Sequence, residues 1–298
     1  MTKSIGALVT EHIAVGLVEN NQLVSAIHVF PEGGGDPDIL GGMPTEEIVQ
    51  QIASEIEFVG EGHRIEAVGV GFPGINRQGL VEESPNLKQT KGLNLGEALS
   101  GSLKERGTSA SVHILNDAAA LAAGIAATRG HLDRTVRAWF LGVGIGFGRY
   151  PQSDGFSEAG HSIVTLDAKE QFCGCGGTGH LEGIMGHRAM RLRFLDLEPE
   201  EIFDGARTGD ARCSDFVKLW HRALAAATAT SIHLDGPGRF FVSGPNAIFI
   251  QTGLLDLYLS EMVKMSPLQG SVFEVIPTSD VTAIVGAAVS AERTASAQ

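Results

Sequence analysis

Apolar positions in the first 30 residues fall into three short blocks, 5–9, 13–18 and 23–30, and the polar run Glu19-Asn20-Asn21-Gln22 separates the second from the third. Blocks of this length, rich in Ile, Val and Leu and bounded by turn residues, predict a β-meander. From Thr45 the period changes. Glu46 and Glu47 place carboxylates at the start of a helix that runs toward residue 58, where the helix dipole favours them. A buried strand over 65–72 stops at Pro73-Gly74, a helix covers 95–106 and a strand covers 111–115. Asn116-Asp117 then stands at that strand's end, ahead of an alanine-rich helix over 118–128. A strand over 137–143 breaks into the glycine loop Gly142-Val143-Gly144-Ile145-Gly146-Phe147-Gly148. The later half predicts helices over 181–194, 200–206 and 213–234, a strand over 239–243 and a closing helix over 281–293. This is an α/β pattern, and such sheets place ligands at the carboxyl ends of their strands, where Asn116 and Asp117 lie.

A chain of 298 residues suits two lobes. The expected division is 1–116 and 117–280, with the closing helix, about 281–298, packing back on the first lobe. The excess of 35 acidic over 22 basic residues, a net charge of −13, disfavours nucleic acid and anionic membrane as partners. No apolar run approaches the roughly 20 residues of a membrane span. No signal segment follows Met1, so a cytoplasmic location is expected. Three cysteines cannot form a disulfide framework, and Cys173 and Cys175 are one residue apart, which points to metal or a free thiol. Cys213, His187, His221 and His233 lie on helical stretches and read as packing residues rather than ligands.

Several motifs, in order, carry a resemblance: Val68-Gly69-Val70-Gly71-Phe72-Pro73-Gly74, Ser84-Pro85-Asn86-Leu87, Asn116-Asp117-Ala118, Glu158-Ala159-Gly160-His161 and Cys173-Gly174-Cys175-Gly176-Gly177-x-Gly179-x-x-Glu182. The series ends with Ile202 to Asp210 and Val285-Gly286-Ala287-Ala288. Together they resemble the ROK family of sugar kinases and sugar-responsive repressors. The resemblance implies the two-lobed actin-like ATPase (ribonuclease H-like) fold, with sugar and Mg-ATP meeting in a cleft. It implies a structural zinc held by His161, Cys173, Cys175 and position 180, which is His here where the family usually has Cys; thiolate and imidazole both suit tetrahedral zinc. It also implies that Asn86, Asn116, Asp117, Glu158, His161 and Glu182 ring a hexose or N-acylhexosamine, with Asp117 as general base. Thr90 stands where the family commonly has an aromatic residue, and family members are commonly dimers.

At the phosphate loops the chain departs from the pattern. The family's Asp-x-Gly-Gly-Thr turn is replaced by Ala7, Val9, Thr10 and Glu11. An anion at Glu11 facing a triphosphate would cost on the order of 4 kcal/mol at close contact and moderate dielectric. In the second loop, among Gly142, Gly144 and Gly146, Val143 stands for the usual Thr and Phe147 for a small residue. In the third, Gly244 is followed by Pro245, which removes an amide donor. Three expectations follow: an ATP-dependent sugar kinase, with Thr10 and backbone amides compensating; a nucleotide-free glycoside hydrolase or isomerase using Asp117, Glu158 and Glu182; or a sugar-sensing pseudokinase. In each the partner is a small sugar or glycoside.

Overall fold

The computed structural model describes residues 3–33, 38–152 and 158–297, and the chain divides into two compact units. The first runs to Val136, takes in residues from Gly148 and the C-terminal segment from Ser279, and the second holds Arg137–Phe147 and the later residues up to Thr278. The expected boundary after residue 116 is displaced, because the alanine-rich helix joins the first unit.

The first unit contains β1 (Lys3–Val9), β2 (Ile13–Glu19), β3 (Gln22–Leu23), β4 (His28–Phe30), α1 (Ile39–Gly42), α2 (Thr45–Gly60), β5 (Ile65–Phe72), β6 (Ile75–Arg77), β7 (Leu80–Glu83), α3 (Leu95–Glu105), β8 (Ser111–Asn116) and α4 (Asp117–Thr128). Its sheet has the order β3-β2-β1-β5-β8, with β4 also on β2; β1, β5 and β8 are parallel and β2 is antiparallel to β1. The expected third strand over 23–30 is interrupted after Leu23 and resumes at His28. Period-2 geometry explains why the parallel strands read as continuous apolar runs. Ile5, Ala7 and Val9 face the core shared with α2 and α3, and Leu8 faces the opposite core.

That opposite face is covered by α4 and by the last helix, α10 (Asp280–Ala297). Here glycine makes room for backbone against backbone. A Cβ on Gly6 would stand 1.9 Å from the Ile284 carbonyl oxygen, one on Gly69 1.9 Å from that of Ala287, and one on Gly124 1.7 Å from that of Thr282. Gly286 likewise meets Ala120 O at 1.9 Å. No side chain fits at such distances, so the small residues of 118–127 and 283–288 are what allow α4 and α10 to lie together on the sheet.

The second unit contains β9 (Val136–Leu141), β10 (Ile145–Tyr150), α5 (Glu182–Met185), α6 (His187–Arg193), α7 (Pro199–Thr208), α8 (Ala211–Asp235), β11 (Arg239–Ser243), α9 (Thr252–Met262) and β12 (Val272–Val275), with β10 continuing into the first unit from Gly148. Its sheet order is β10-β9-β11-β12, and β9, β11 and β12 are parallel. Trp139 and Trp220 fill the core, their indole N–H groups donating to Thr228 Oγ1 (3.1 Å) and Met185 O (3.3 Å). His221 is a satisfied core histidine, in contact with Val217 O through Nδ1 (2.8 Å) and accepting from Gln251 N at Nε2 (2.9 Å). Cys213 is buried.

Two expected elements change. Residues 145–150 form a strand, so the glycine loop is shorter than 142–148. Residues 181–194 form two short helices that break at Gly186, whose backbone is extended (ψ 144°) and whose missing side chain admits Val143 O.

The α4–α10 contact generates a stability prediction. Gly124→Ala should destabilise the protein by about 3 kcal/mol in urea unfolding, from overpacking. Gly101→Ala, on the open face of α3, should instead stabilise by up to about 1 kcal/mol.

Candidate functional site

At the carboxyl end of β8, Asn116 caps α4: its Oδ1 accepts from Ala118 N (2.9 Å) and Ala119 N (3.2 Å). Its Nδ2 donates to Gly74 O (3.0 Å), which ties the Pro73-Gly74 turn to the helix start. Asp117 is half-buried, and its Oδ1 accepts from Ala118 N (2.9 Å). Burial pushes its pKa up, the amide bonds oppose this, and the negative charge of Glu11 adds to the rise. The result is a carboxylate with raised proton affinity, the property a general base needs. Asn86 is exposed. Thr90 is buried and its hydroxyl donates to Leu87 O (2.7 Å), so it stabilises the chain turn and offers nothing outward.

Between β1 and β2, Val9 pairs with Ile13 and leaves a three-residue turn, Thr10-Glu11-His12, closed by Thr10 N donating to His12 O (2.9 Å). Glu11 is exposed. His12 Nε2 lies 2.8 Å from Asp280 Oδ2 at the start of α10, and this bond is the main cause of a raised His12 pKa.

In the second unit, His161, Cys173, Cys175 and His180 bring one ligand atom each within 4.8 Å of all the others. The separations are 3.4 Å for His161 Nδ1 to His180 Nδ1, 3.4 Å for Cys173 Sγ to His161 Nδ1, 3.3 Å between the two sulfurs and 3.3 Å for Cys175 Sγ to His180 Nδ1. A tetrahedral zinc with bonds of about 2.0–2.3 Å requires ligand edges of roughly 3.3–3.8 Å, so donor set and spacing fit that ion. With the thiols uncoordinated, burial above all, then the Cys175 thiol and the Glu182 carboxylate, push Cys173 up to about 12. A metal would displace that proton.

His161 faces both ways. Its Nδ1 joins the cluster, while Nε2 stands 3.9 Å from Glu158 Oε2. Glu182 bridges the cluster to the glycine loop: Oε1 accepts from Cys173 Sγ (3.4 Å) and Oε2 from Ile145 N (3.2 Å). Gly144 leaves room for it, since a Cβ there would lie 2.6 Å from Oε2. The loop is closed by Gly142 N donating to Gly144 O (3.0 Å), and Gly142 O accepts from Asn246 Nδ2 and His187 N, both at 3.1 Å. Gly146 lies in β10. Gly244 has φ +99° and donates to Thr278 Oγ1 (3.1 Å). Phe147 is turned into the core against Trp139, ring centroids 4.4 Å apart, so its bulk does not obstruct the loop as the sequence pattern suggested.

A model of the ROK family matches residues 41–293. The chain belongs to the ROK family. It is 30% identical over 223 residues to a glucokinase of Pyrobaculum calidifontis, an alignment that covers 70% of each chain. The ROK hexokinase of Thermus thermophilus superposes with a TM-score of 0.78 at 22% identity over 100% of both chains. A ROK glucokinase from Streptomyces griseus, solved with glucose and AMPPNP, gives 0.70 at 23% identity over 98% and 99% of the two chains. These neighbours establish the actin-like ATPase fold of the ROK sugar kinases. No helix among the described residues is long and apolar enough to cross a membrane.

Sequence reasoning missed His12 with Asp280, and Asn246 with Gly142. Their partners are remote in the chain, and each of these side chains, taken alone, is ordinary. The raised His12 value fixes the sign of a pH effect. The pair contributes fully below the unfolded value of about 6.5 and is lost as pH rises through the folded value. The stability difference between wild type and Asp280→Asn should therefore shrink as pH rises from about 6 through the raised folded value of His12, in chemical denaturation. A constant difference would remove the ion pair.

Proposed function

We propose that this ROK protein transfers a phosphoryl group from Mg-ATP to a hydroxyl of a hexose, with Asp117 as general base. Asp117 carries the reading: a half-buried carboxylate at a strand's carboxyl end, with raised proton affinity. The sugar oxygen forms its bond to the γ-phosphorus as the bond to the β–γ bridging oxygen breaks, the hydroxyl proton passes to Asp117, and ADP leaves. Relatives named as glucokinases, and a neighbour holding glucose and AMPPNP, support the classes of acceptor and donor. The sugar-binding groups assigned from the family resemblance are Asn86, Asn116, Glu158, His161 and Glu182. Nucleotide phosphates are assigned to Thr10, Gly142, Gly144, Gly146 and Gly244.

The His2Cys2 cluster is assigned a structural zinc. The ion would fix His161 through Nδ1, leaving Nε2 for a sugar hydroxyl, and would anchor the loop that presents Glu182. No chemical step passes through it.

One observation favours a second reading, a sugar-binding protein without nucleotide turnover. The β1–β2 turn contains no glycine, and it carries Glu11, whose charge already reaches Asp117.

Two variants test the assignments. Asp117→Asn should lower hexose-dependent ADP release by about 10²–10⁴ while hexose binding by calorimetry survives; retained turnover would end its role as base. Wild type that binds hexose but neither binds nor hydrolyses ATP would establish the second reading. For the zinc, Cys175→Ser should reduce bound metal to background and weaken hexose binding together, and full metal content with normal binding would sink that assignment.

A further inference from the structure

Arg188, on the first turn of α6, is exposed, and among the described residues it makes no hydrogen bond or ion pair. It reaches back over the Cys173-Gly174-Cys175 turn. Its Nη1 lies 2.9 Å from where a Cβ on Gly174 would stand, and Glu182 Oε1 is 4.0 Å from that same point. Gly174 is not in the left-handed region, so glycine is required there for space and not for backbone conformation. The space it leaves is filled by a guanidinium.

We propose that Arg188 is a positioning residue for Glu182 and hence a determinant of sugar affinity, an inference that rests on the sugar-binding reading above. Glu182 accepts from Ile145 N–H at Oε2 and, while Cys173 is protonated, from its thiol at Oε1, so a metal that displaces that proton leaves Ile145 N–H as the hydrogen bond given to this carboxylate. Arg188 stands beyond ion-pair distance of Glu182, so its charge biases the orientation of the carboxylate through space and leaves the carboxylate's lone pairs available to two sugar hydroxyls.

The geometry supplies two ways to remove the same effect. Arg188→Gln abolishes the charge. Gly174→Ala keeps it but evicts it, because the obstructed atom is the far end of a flexible side chain. Calorimetric titration of glucose into the zinc-loaded protein should show about tenfold weaker binding for each variant, and the double variant no weaker than either. Arg188→Lys, which returns the charge, should recover most of the loss, a rescue that a role in packing alone would not give. Metal content and thermal midpoint, measured alongside, should match wild type in all four. Binding within twofold of wild type in Arg188→Gln and Gly174→Ala would overturn the role of Arg188 and leave the sugar reading intact. Failure of wild type to bind glucose or any other hexose would overturn both.

Discussion

Backbone contact through glycine is the constraint on which the first unit depends. Gly6 and Gly69 on the sheet, Gly124 on α4 and Gly286 on α10 each take a carbonyl where a side chain would otherwise stand. Close approach of this kind gives dense dispersion contact and little tolerance for added volume. It also has a positional consequence. Because α4 is pressed against β5, with Gly71 beneath Ala120 and Asp117, the start of α4 is fixed relative to the strand ends, and Asp117 with it. The same packing sets the start of α10, from which Asp280 reaches His12 in the β1–β2 turn. Asp117 and the β1–β2 turn are thus located by the packing of small residues on both faces of their contacts.

The second unit fixes its polar groups differently, through a local chain of donors and acceptors. Glu158 leads to His161, His161 to the two sulfurs and His180, Cys173 to Glu182, and Glu182 to the amide of Ile145 in the glycine loop. Every member except Ile145 lies within 25 residues of the others. What joins these groups is the convergence of four polar side chains within 4.8 Å of one another. Loss of one member therefore propagates along the chain of contacts, which meets the apolar core around Trp139 and Trp220 at Ile145.

Elements and motifs with short sequence range were legible. The Asn20-Asn21 turn, both residues at positive φ, sits where the polar run predicted a hairpin. Asn116 caps the alanine-rich helix, and the four candidate ligand positions converge as the family resemblance implied. The β6–β7 hairpin was readable in principle from Gln78-Gly79, both at positive φ between paired Arg77 and Leu80, but its strands are too short to show alternation. Phe147 was misread because a residue inside a glycine-rich run looks like loop, while period 2 from Ile145 makes it a core position. The division after residue 116 missed the small residues 118–127, which signal packing on another backbone as readily as they signal a helix. No local pattern pairs His12 with Asp280.

The charge at the β1–β2 turn bears most directly on how ROK chemistry could operate here. Glu11 raises the proton affinity of Asp117 and of His12 alike. In the proposed role of Asp117 a raised proton affinity is useful for accepting a hydroxyl proton; burial is its main cause and Glu11 a lesser one, and Glu11 is repelled by any phosphate that approaches it. His12 moderates the conflict only while protonated, and then it shares its charge with Asp280. The two effects of Glu11 have opposite consequences for catalysis: one favours proton abstraction, the other opposes binding of the donor. A turn with this composition is therefore suited to a reaction in which the base is helped more than the phosphate is hindered, which requires that Glu11, exposed as it is, keep its carboxylate in solvent while its field still reaches Asp117.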